Sequence, residues 1–349
     1  MQHRTALRLT AAFAAIALAA GCSSASDQGS GPRTAPSSEF DFDLEGQTIR
    51  LGLTQPSAYQ MGSYYSRDLL EQWGANVETQ VLGKTTGVEA IVAGQLDVAA
   101  RSQEEALRGS DSGADLTAIG SWLSSIPYVL ITKKEVSDIA DLKGRNLAVA
   151  GPASFDNLMF RYILENEGLD PESDVTFTAL GAPPDRTSAM LSGRVDAALL
   201  FVDGWISIEE QADDLKNLGY LNDTLPDPGI DNGFWYGDTE FLKSSGDVPL
   251  AIACANLEAN AWAKDKDAFV SYTLDHVKGA LEPDVAAAYD EAQRLNMFPT
   301  TPEELLKTDR IDNLVGILAD HDVVKDDLDP KQIVDSSYLE EAAEMGCGS

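Results

Sequence analysis

From Gln47 onward, short apolar runs of strand length alternate with segments whose apolar positions recur at helical spacing. Thr48 to Leu53, Val77 to Leu82 and Asp97 to Ala100 read as strands, with helices over Tyr64 to Trp73 and Gly87 to Ala93 between them. The same alternation returns with strands over Leu147 to Ala150, Val175 to Leu180 and Ala197 to Val202, and helices over Asn157 to Glu167 and Thr187 to Leu191. Such alternation predicts an α/β chain with parallel sheets covered by helices. Pro127 to Thr132 is a continuous apolar strand and Asp138 to Gly144 a short helix. Gly233 to Gly237 is a further extended segment, and from Pro249 to the end the pattern is helical.

The two alternating stretches match in detail. Val92-Ala93-Gly94-Gln95-Leu96-Asp97-Val98-Ala99 aligns with Leu191-Ser192-Gly193-Arg194-Val195-Asp196-Ala197-Ala198. Each has a glycine suited to ending a helix and an aspartate leading into a strand. Pro56-Ser57-Ala58-Tyr59 has a looser counterpart in Pro152-Ala153-Ser154-Phe155. These repeats predict two α/β lobes with the chain crossing between them twice. Residues 45–131 and 233–349 are expected to form a discontinuous lobe 1, and residues 132–232 lobe 2.

The N-terminus follows a different pattern. Arg4 and Arg8 precede a mostly apolar run from Leu9 to Ala20, which leads into Gly21-Cys22. A basic start, a short apolar run and a small-residue processing point compose an export signal. The run is too short to span a bilayer comfortably. Residues 1–21 are read as a lipoprotein signal peptide with Cys22 as the lipidated residue, a plain cleaved secretory signal being the alternative. Ala19 stands where the usual lipid-attachment motif prefers leucine. Residues 22–44, rich in Ser, Gly, Pro and Asp, have the composition of a flexible tether.

Charge narrows the partners. The 349 residues carry 25 Lys and Arg against 57 Asp and Glu, a net charge of −32. So acidic a surface repels phosphate backbones, which argues against nucleic acid and suits a soluble exported monomer. Apart from Cys22, the cysteines are Cys254 and Cys347. An even pair in an exported chain is consistent with one disulfide or with two buried free thiols.

In open parallel sheets, ligands gather where helix N-termini meet the carboxyl ends of strands. That places the candidate site on the turns 54–59, 84–86, 101–103, 121–125, 154–156, 182–186 and 201–205. Gln55, Ser57, Thr85, Thr86, Arg101, Ser102 and Ser154 supply polar groups. Tyr59, Trp122, Phe155, Trp205, Trp235 and Tyr236 can enclose a ring or an apolar body, and Asp156 and Asp203 supply carboxylates. Serines also cap helices and aromatics also fill cores, so each has a purely structural alternative. Gly83-Lys84-Thr85 lacks the earlier glycine of a phosphate-binding loop, since Glu78 stands there. Asp320 to Asp329 lacks the central glycine and terminal glutamate of a calcium loop. His276 and His321 lie in no metal-binding or nucleophile motif, so neither a cofactor, a metal nor a catalytic residue is assigned.

Taken as an ensemble, Gly87-Val88-Glu89-Ala90, Ala93 to Ala99, Asp141 to Val149, Ser192 to Ala198 and Val334 to Leu339 resemble substrate-binding proteins of ABC importers. The resemblance covers residues 46–342 and is to the nitrate, sulfonate, taurine and thiamine-pyrimidine-precursor group. It implies a type II periplasmic-binding-protein fold whose lobes enclose a small solute and deliver it to a membrane permease, the protein standing at the outer face of the cell membrane. Relatives that hold sulfonate or nitrate are expected to use hydroxyls, backbone N–H groups and arginine. Those that hold a pyrimidine use aromatic stacking with a carboxylate or amide. Arg101 and Arg186 stand on one side of that choice, and the aromatic set with Asp156 and Asp203 on the other, so an organic solute is expected over a bare anion. Two other readings keep the same fold: a secreted enzyme acting on a small heterocyclic or sulfonated substrate, and a ligand-binding receptor for a membrane sensor.

Overall fold

A computed structural model describes residues 40–349 except 84, 153, 182 and 226–228. The first half contains β1 (Thr48–Leu53), α1 (Met61–Gln72), β2 (Asn76–Val81), α2 (Gly87–Val92), β3 (Val98–Ser102), α3 (Gln103–Asp111), β4 (Leu116–Leu123), β5 (Tyr128–Lys133), β6 (Asn146–Val149) and α4 (Phe155–Asn166). Next come β7 (Thr176–Ala179), α5 (Pro183–Leu191), β8 (Ala197–Phe201), α6 (Val202–Glu209), β9 (Leu215–Tyr220) and β10 (Gly233–Asp238). The remainder is helical: α7 (Thr239–Ser244), α8 (Val248–Trp262), α9 (Lys266–His276), α10 (Glu282–Arg294), α11 (Pro302–Leu305), α12 (Thr308–Asp320) and α13 (Ser337–Glu344).

Two five-stranded sheets share one plan. Their orders are β2-β1-β3-β10-β4 and β7-β6-β8-β5-β9. In each, the first three strands pair in parallel, and the fourth, which follows a crossing from the other lobe, runs antiparallel to both neighbours. β5 pairs with β8 and β9, so Tyr128 to Ile131 belong to the second sheet and the first crossing falls before Tyr128. The boundary expected at residues 131 and 132 lies too late, because a continuous apolar strand fits the interior of either sheet equally well.

The tether also ends earlier than its composition implied. Phe42 and Leu44 are buried, and the Phe42 ring lies 5.1 Å from that of Trp73. Burying such rings outweighs the local polarity of the segment. Cys22 and residues 23–39 lie outside the described residues. A disulfide joins Cys254 in α8 to Cys347 beyond α13, closing 93 residues of chain and holding the C-terminal tail on lobe 1.

The matched octapeptides perform one task twice. Gly94 and Gly193 both have φ of +68°, a left-handed turn that ends α2 and α5. Three residues later, Asp97 Oδ2 accepts the Arg50 backbone N–H at 2.8 Å, and Asp196 Oδ2 accepts that of Asn146 at 2.9 Å. Each aspartate thereby locks the strand that follows it to the start of the lobe's central strand.

Candidate functional site

The carboxyl ends of β1 and β3 face those of β6 and β8 across the junction of the lobes. Asp203, at the start of α6 in lobe 2, is the leading charged neighbour of Tyr59 in lobe 1. Tyr128, the first residue after the first crossing, feels Asp156 and Arg186 from lobe 2 and Arg101 and Glu104 from lobe 1. Burial pushes both tyrosine hydroxyls well above the usual phenol range.

On the lobe 1 side, Glu105 is a hub. Its Oε1 accepts the N–H groups of Gly87 and Val88 and the Tyr236 hydroxyl, the last at 2.6 Å. Its Oε2 accepts Arg101 Nη2 at 3.2 Å. Glu104 pairs with Arg108 at 3.0 Å, and burial, opposed by Arg108, raises its pKa to about 7. On the lobe 2 side, Asp156 Oδ2 accepts the Ala150 N–H at 2.9 Å and lies 3.5 Å from Arg186 Nε. Asp203 is half-buried. Burial raises its pKa, while the Ser57 hydroxyl and the N–H groups of Gly204, Tyr59 and Ala58 pull it back down. The rings of Tyr128, Phe155 and Phe201 form one cluster, with centroids 6.0 Å and 4.7 Å from Tyr128.

The lobes also touch beyond this junction. The Tyr220 hydroxyl donates to Glu291 at 2.8 Å, and the Asn222 amide donates to Ser125 Oγ at 2.7 Å. Arg310 donates to Asp231 Oδ1 at 2.5 Å on the second crossing and to the Ser124 carbonyl at 3.4 Å on the first. Burial raises the Asp231 pKa to about 6 against the pull of Arg310.

Among the residues expected at the site, Ser57, Tyr59, Arg101, Phe155, Asp156 and Asp203 come together here. Thr86 caps α2 in a reciprocal box with Glu89, and Ser102 caps α3. The Ser154 hydroxyl is engaged with the backbone of Gly151. Gln55 and Thr85 are exposed. The rings of Trp122, Trp205, Trp235 and Tyr236 lie in the hydrophobic core, as does that of Tyr59, and the Tyr236 hydroxyl reaches the Glu105 hub. The Trp122 ring covers Gly233, and its Nε1 donates to the Arg101 carbonyl at 2.9 Å. Packing accounts for Trp122, Trp205 and Trp235, because so large an apolar area is stabilised most inside a lobe. Tyr128, Glu104 and Glu105 were not singled out by sequence. The spacing of four residues from Arg101 to Glu105 is the one local signal for that ion pair. A shallow hollow bounded by Phe42, Trp73 and Asp247 lies at the opposite ends of the strands. Among the described residues, no cluster of His, Cys, Asp and Glu is arranged to hold a metal ion, and no helix is long and apolar enough to cross a membrane.

The model of the NMT1/THI5-like family matches residues 67–231, from within α1 to the second crossing. Around that stretch, the whole two-lobed arrangement recurs in solved structures. The alkanesulfonate-binding protein SsuA of Xanthomonas axonopodis pv. citri, bound to MOPS, is 16% identical with a TM-score of 0.65, covering 85% of this chain and 98% of that one. The periplasmic aliphatic sulphonate binding protein SsuA of Escherichia coli is 18% identical with a TM-score of 0.65, covering 82% and 92%. The periplasmic nitrate-binding protein NrtA of Synechocystis PCC 6803 is 12% identical with a TM-score of 0.67, covering 85% and 88%. No curated protein matches the chain by sequence. The stretch matched by the family model therefore lies within a two-lobed fold shared with solved periplasmic binding proteins.

Proposed function

We propose that this protein is an extracytoplasmic solute-binding protein that closes its lobes on one small molecule and delivers it to an ABC import permease. The leader exports it, lipid on Cys22 holds it at the outer face of the membrane, and the residues before Phe40 let it reach the permease. It works as a monomer and performs no chemistry on its ligand.

The observation that carries this reading is the facing of polar strand ends across two crossings, with Tyr59 and Asp203 meeting from opposite lobes. Two connections allow one lobe to rotate on the other, so a ligand contacted by both favours the closed arrangement. A thermal-shift screen of solutes spanning anionic, neutral and cationic classes should give at least one hit, recovered chemically unchanged. Loss of the gene should abolish uptake of that solute. Silence across the whole library, or recovery of an altered compound, overturns the reading. Cys22→Ala should release the protein from membranes, and retention there would refute the anchor.

A further inference from the structure

α12 belongs to lobe 1 and packs against α3, with Ile311, Leu314 and Leu318 buried. Arg310, Asn313, Ile317 and His321 follow one another at spacings of three and four, which sets them in a row along one side of the helix. That row runs from the crossings to lobe 2. Arg310 holds Asp231 on the second crossing and the Ser124 carbonyl on the first, and the Asn313 amide donates to the Gly229 carbonyl at 2.9 Å. At the far end His321, which closes α12, reaches α4 of lobe 2. Its Nε2 lies 3.2 Å from Glu165 Oε2, and its ring centroid 6.3 Å from that of Tyr162.

The imidazole can hold Glu165 in only one charge state. Nδ1 lies 2.8 Å from the Ile317 carbonyl, which only accepts, so Nδ1 carries the proton of the neutral ring. Nε2 then turns a buried lone pair, with no hydrogen-bond partner, towards a carboxylate oxygen that also only accepts. A second proton on Nε2 converts that repulsion into an ion pair. Glu165 is half exposed, so the pair is a weak one, able to bias the arrangement of the lobes without locking it. The titratable groups set against the ring are Glu165 and Tyr162 from α4, with Asp320 and Asp322 flanking it in the chain. At the other end of the row Asp231 faces Arg310, Lys307 and Asp309, and burial raises its pKa to about 6. Its protonation weakens the Arg310 bond, and so acts in the opposite sense to that of His321.

We propose that α12 is a proton-sensitive strap between the lobes: fixed to the crossings by Arg310 and Asn313, it fastens on lobe 2 through His321 and Glu165 when the imidazole is protonated and lets go when it is neutral. The proposal rests on the solute-binding reading for its use, which is to bias the clamp towards the joined arrangement in an acid medium.

Small-angle X-ray scattering of the mature protein without solute tests this at about pH 5.5 and about pH 8.5, on either side of the range in which imidazole titrates. The radius of gyration, about 20 Å for a compact chain of this length, should rise by about 0.5 Å at the higher pH as the lobes part. His321→Ala and Glu165→Ala should hold the wider value at both pH values. Glu165→Gln should hold the narrower value at both, because its carbonyl accepts from the imidazolium and its amide N–H donates to the neutral ring. A wild-type radius that does not change, or a change that persists in either alanine variant, overturns the strap. So does a Glu165→Gln protein that behaves like the alanine variants. Contraction at the higher pH would assign the response to Asp231 and Arg310, and likewise overturns it. With no solute present, each of these failures leaves the solute-binding reading standing, and that reading falls only by its own screen.

Discussion

The two lobes agree closely at one end of their sheets and diverge at the other. Away from the junction, Gly94 and Asp97 repeat in Gly193 and Asp196 with the same φ and the same backbone bond, at an offset of 99 residues. Carried forward, that offset pairs Glu104, second residue of α3, with Asp203, second residue of α6. It also pairs Arg101 with Leu200 and Glu105 with Gly204. The distal ends carry what any lobe of this plan needs, a helix stop and a lock on the central strand. The facing ends share one carboxylate and differ around it, so the junction is asymmetric although the scaffold is not. Lobe 1 supplies the pairs Arg101–Glu105 and Arg108–Glu104, and lobe 2 supplies the pair Arg186–Asp156 beside the rings of Phe155 and Phe201.

The largest effect should come from breaking the distal lock in the two lobes separately. Asp97 is only 7% exposed and is held by both the backbone and the guanidinium of Arg50, at 2.8 Å and 3.0 Å to Oδ2. Asp196 is 18% exposed. Burial opposes its charge, but Lys133 at 2.7 Å and the Asn146 N–H outweigh that and lower its pKa. Removing either carboxylate strands a backbone donor and leaves a cation, Arg50 or Lys133, without its carboxylate, and Asp97 is the more buried of the two. Asp97→Ala should cost about 3 kcal/mol and Asp196→Ala about 1.5 kcal/mol in urea unfolding. Equal losses would mean that the greater burial of Asp97 carries no energetic weight.

Much of this scaffold was legible in the sequence because its signals are local. A left-handed glycine, an aspartate three residues later and an apolar strand lie within eight residues, and two copies reveal each other. The crossing near Tyr128 was less legible, since an apolar run does not say which sheet buries it. At the junction, residue type selected Ser57, Tyr59, Arg101, Phe155, Asp156 and Asp203, but it equally selected Trp235 and Tyr236, which the core claims. Glu104 and Glu105 escaped notice because one carboxylate among 57 acidic residues gives no contrast. Only the repeat offset makes Glu104 the counterpart of Asp203.

That pairing can be sharpened by titration. Burial raises the Glu104 pKa to about 7, so the folded chain keeps this proton longer than the unfolded chain does. The folded state then loses stability as pH rises from about 4.3, the unfolded value, towards 7, and the loss levels off above that. Glu104→Gln removes this contribution. The stability of the variant relative to wild type should rise by on the order of 2 kcal/mol between about pH 4.5 and pH 8. Asp203→Asn should shift the same way by less, because Asp203 is only half-buried. A flat difference for Glu104→Gln would show that its carboxyl is better solvated than its 6% exposure implies.

The smallest expected effect tests whether the distal ends are equivalent in energy as well as in form. A Cβ added at Gly94 or Gly193 would meet nothing within 4 Å, so substitution brings no steric clash at either place. What remains is the strain of an L side chain at φ of +68°, which is the same for both. Gly94→Ala and Gly193→Ala should each cost about 1 kcal/mol, within about 0.3 kcal/mol of one another. Thermal unfolding monitored by circular dichroism suffices to measure this. A distinctly larger loss at Gly94 would place the asymmetry in Arg50, whose Nη1 also bonds the Gly94 carbonyl and would be displaced if the turn shifted. The distal devices would then be unequal through their side-chain partners while their backbones stay alike, and the symmetry seen in φ and in the aspartate bonds would be geometric alone.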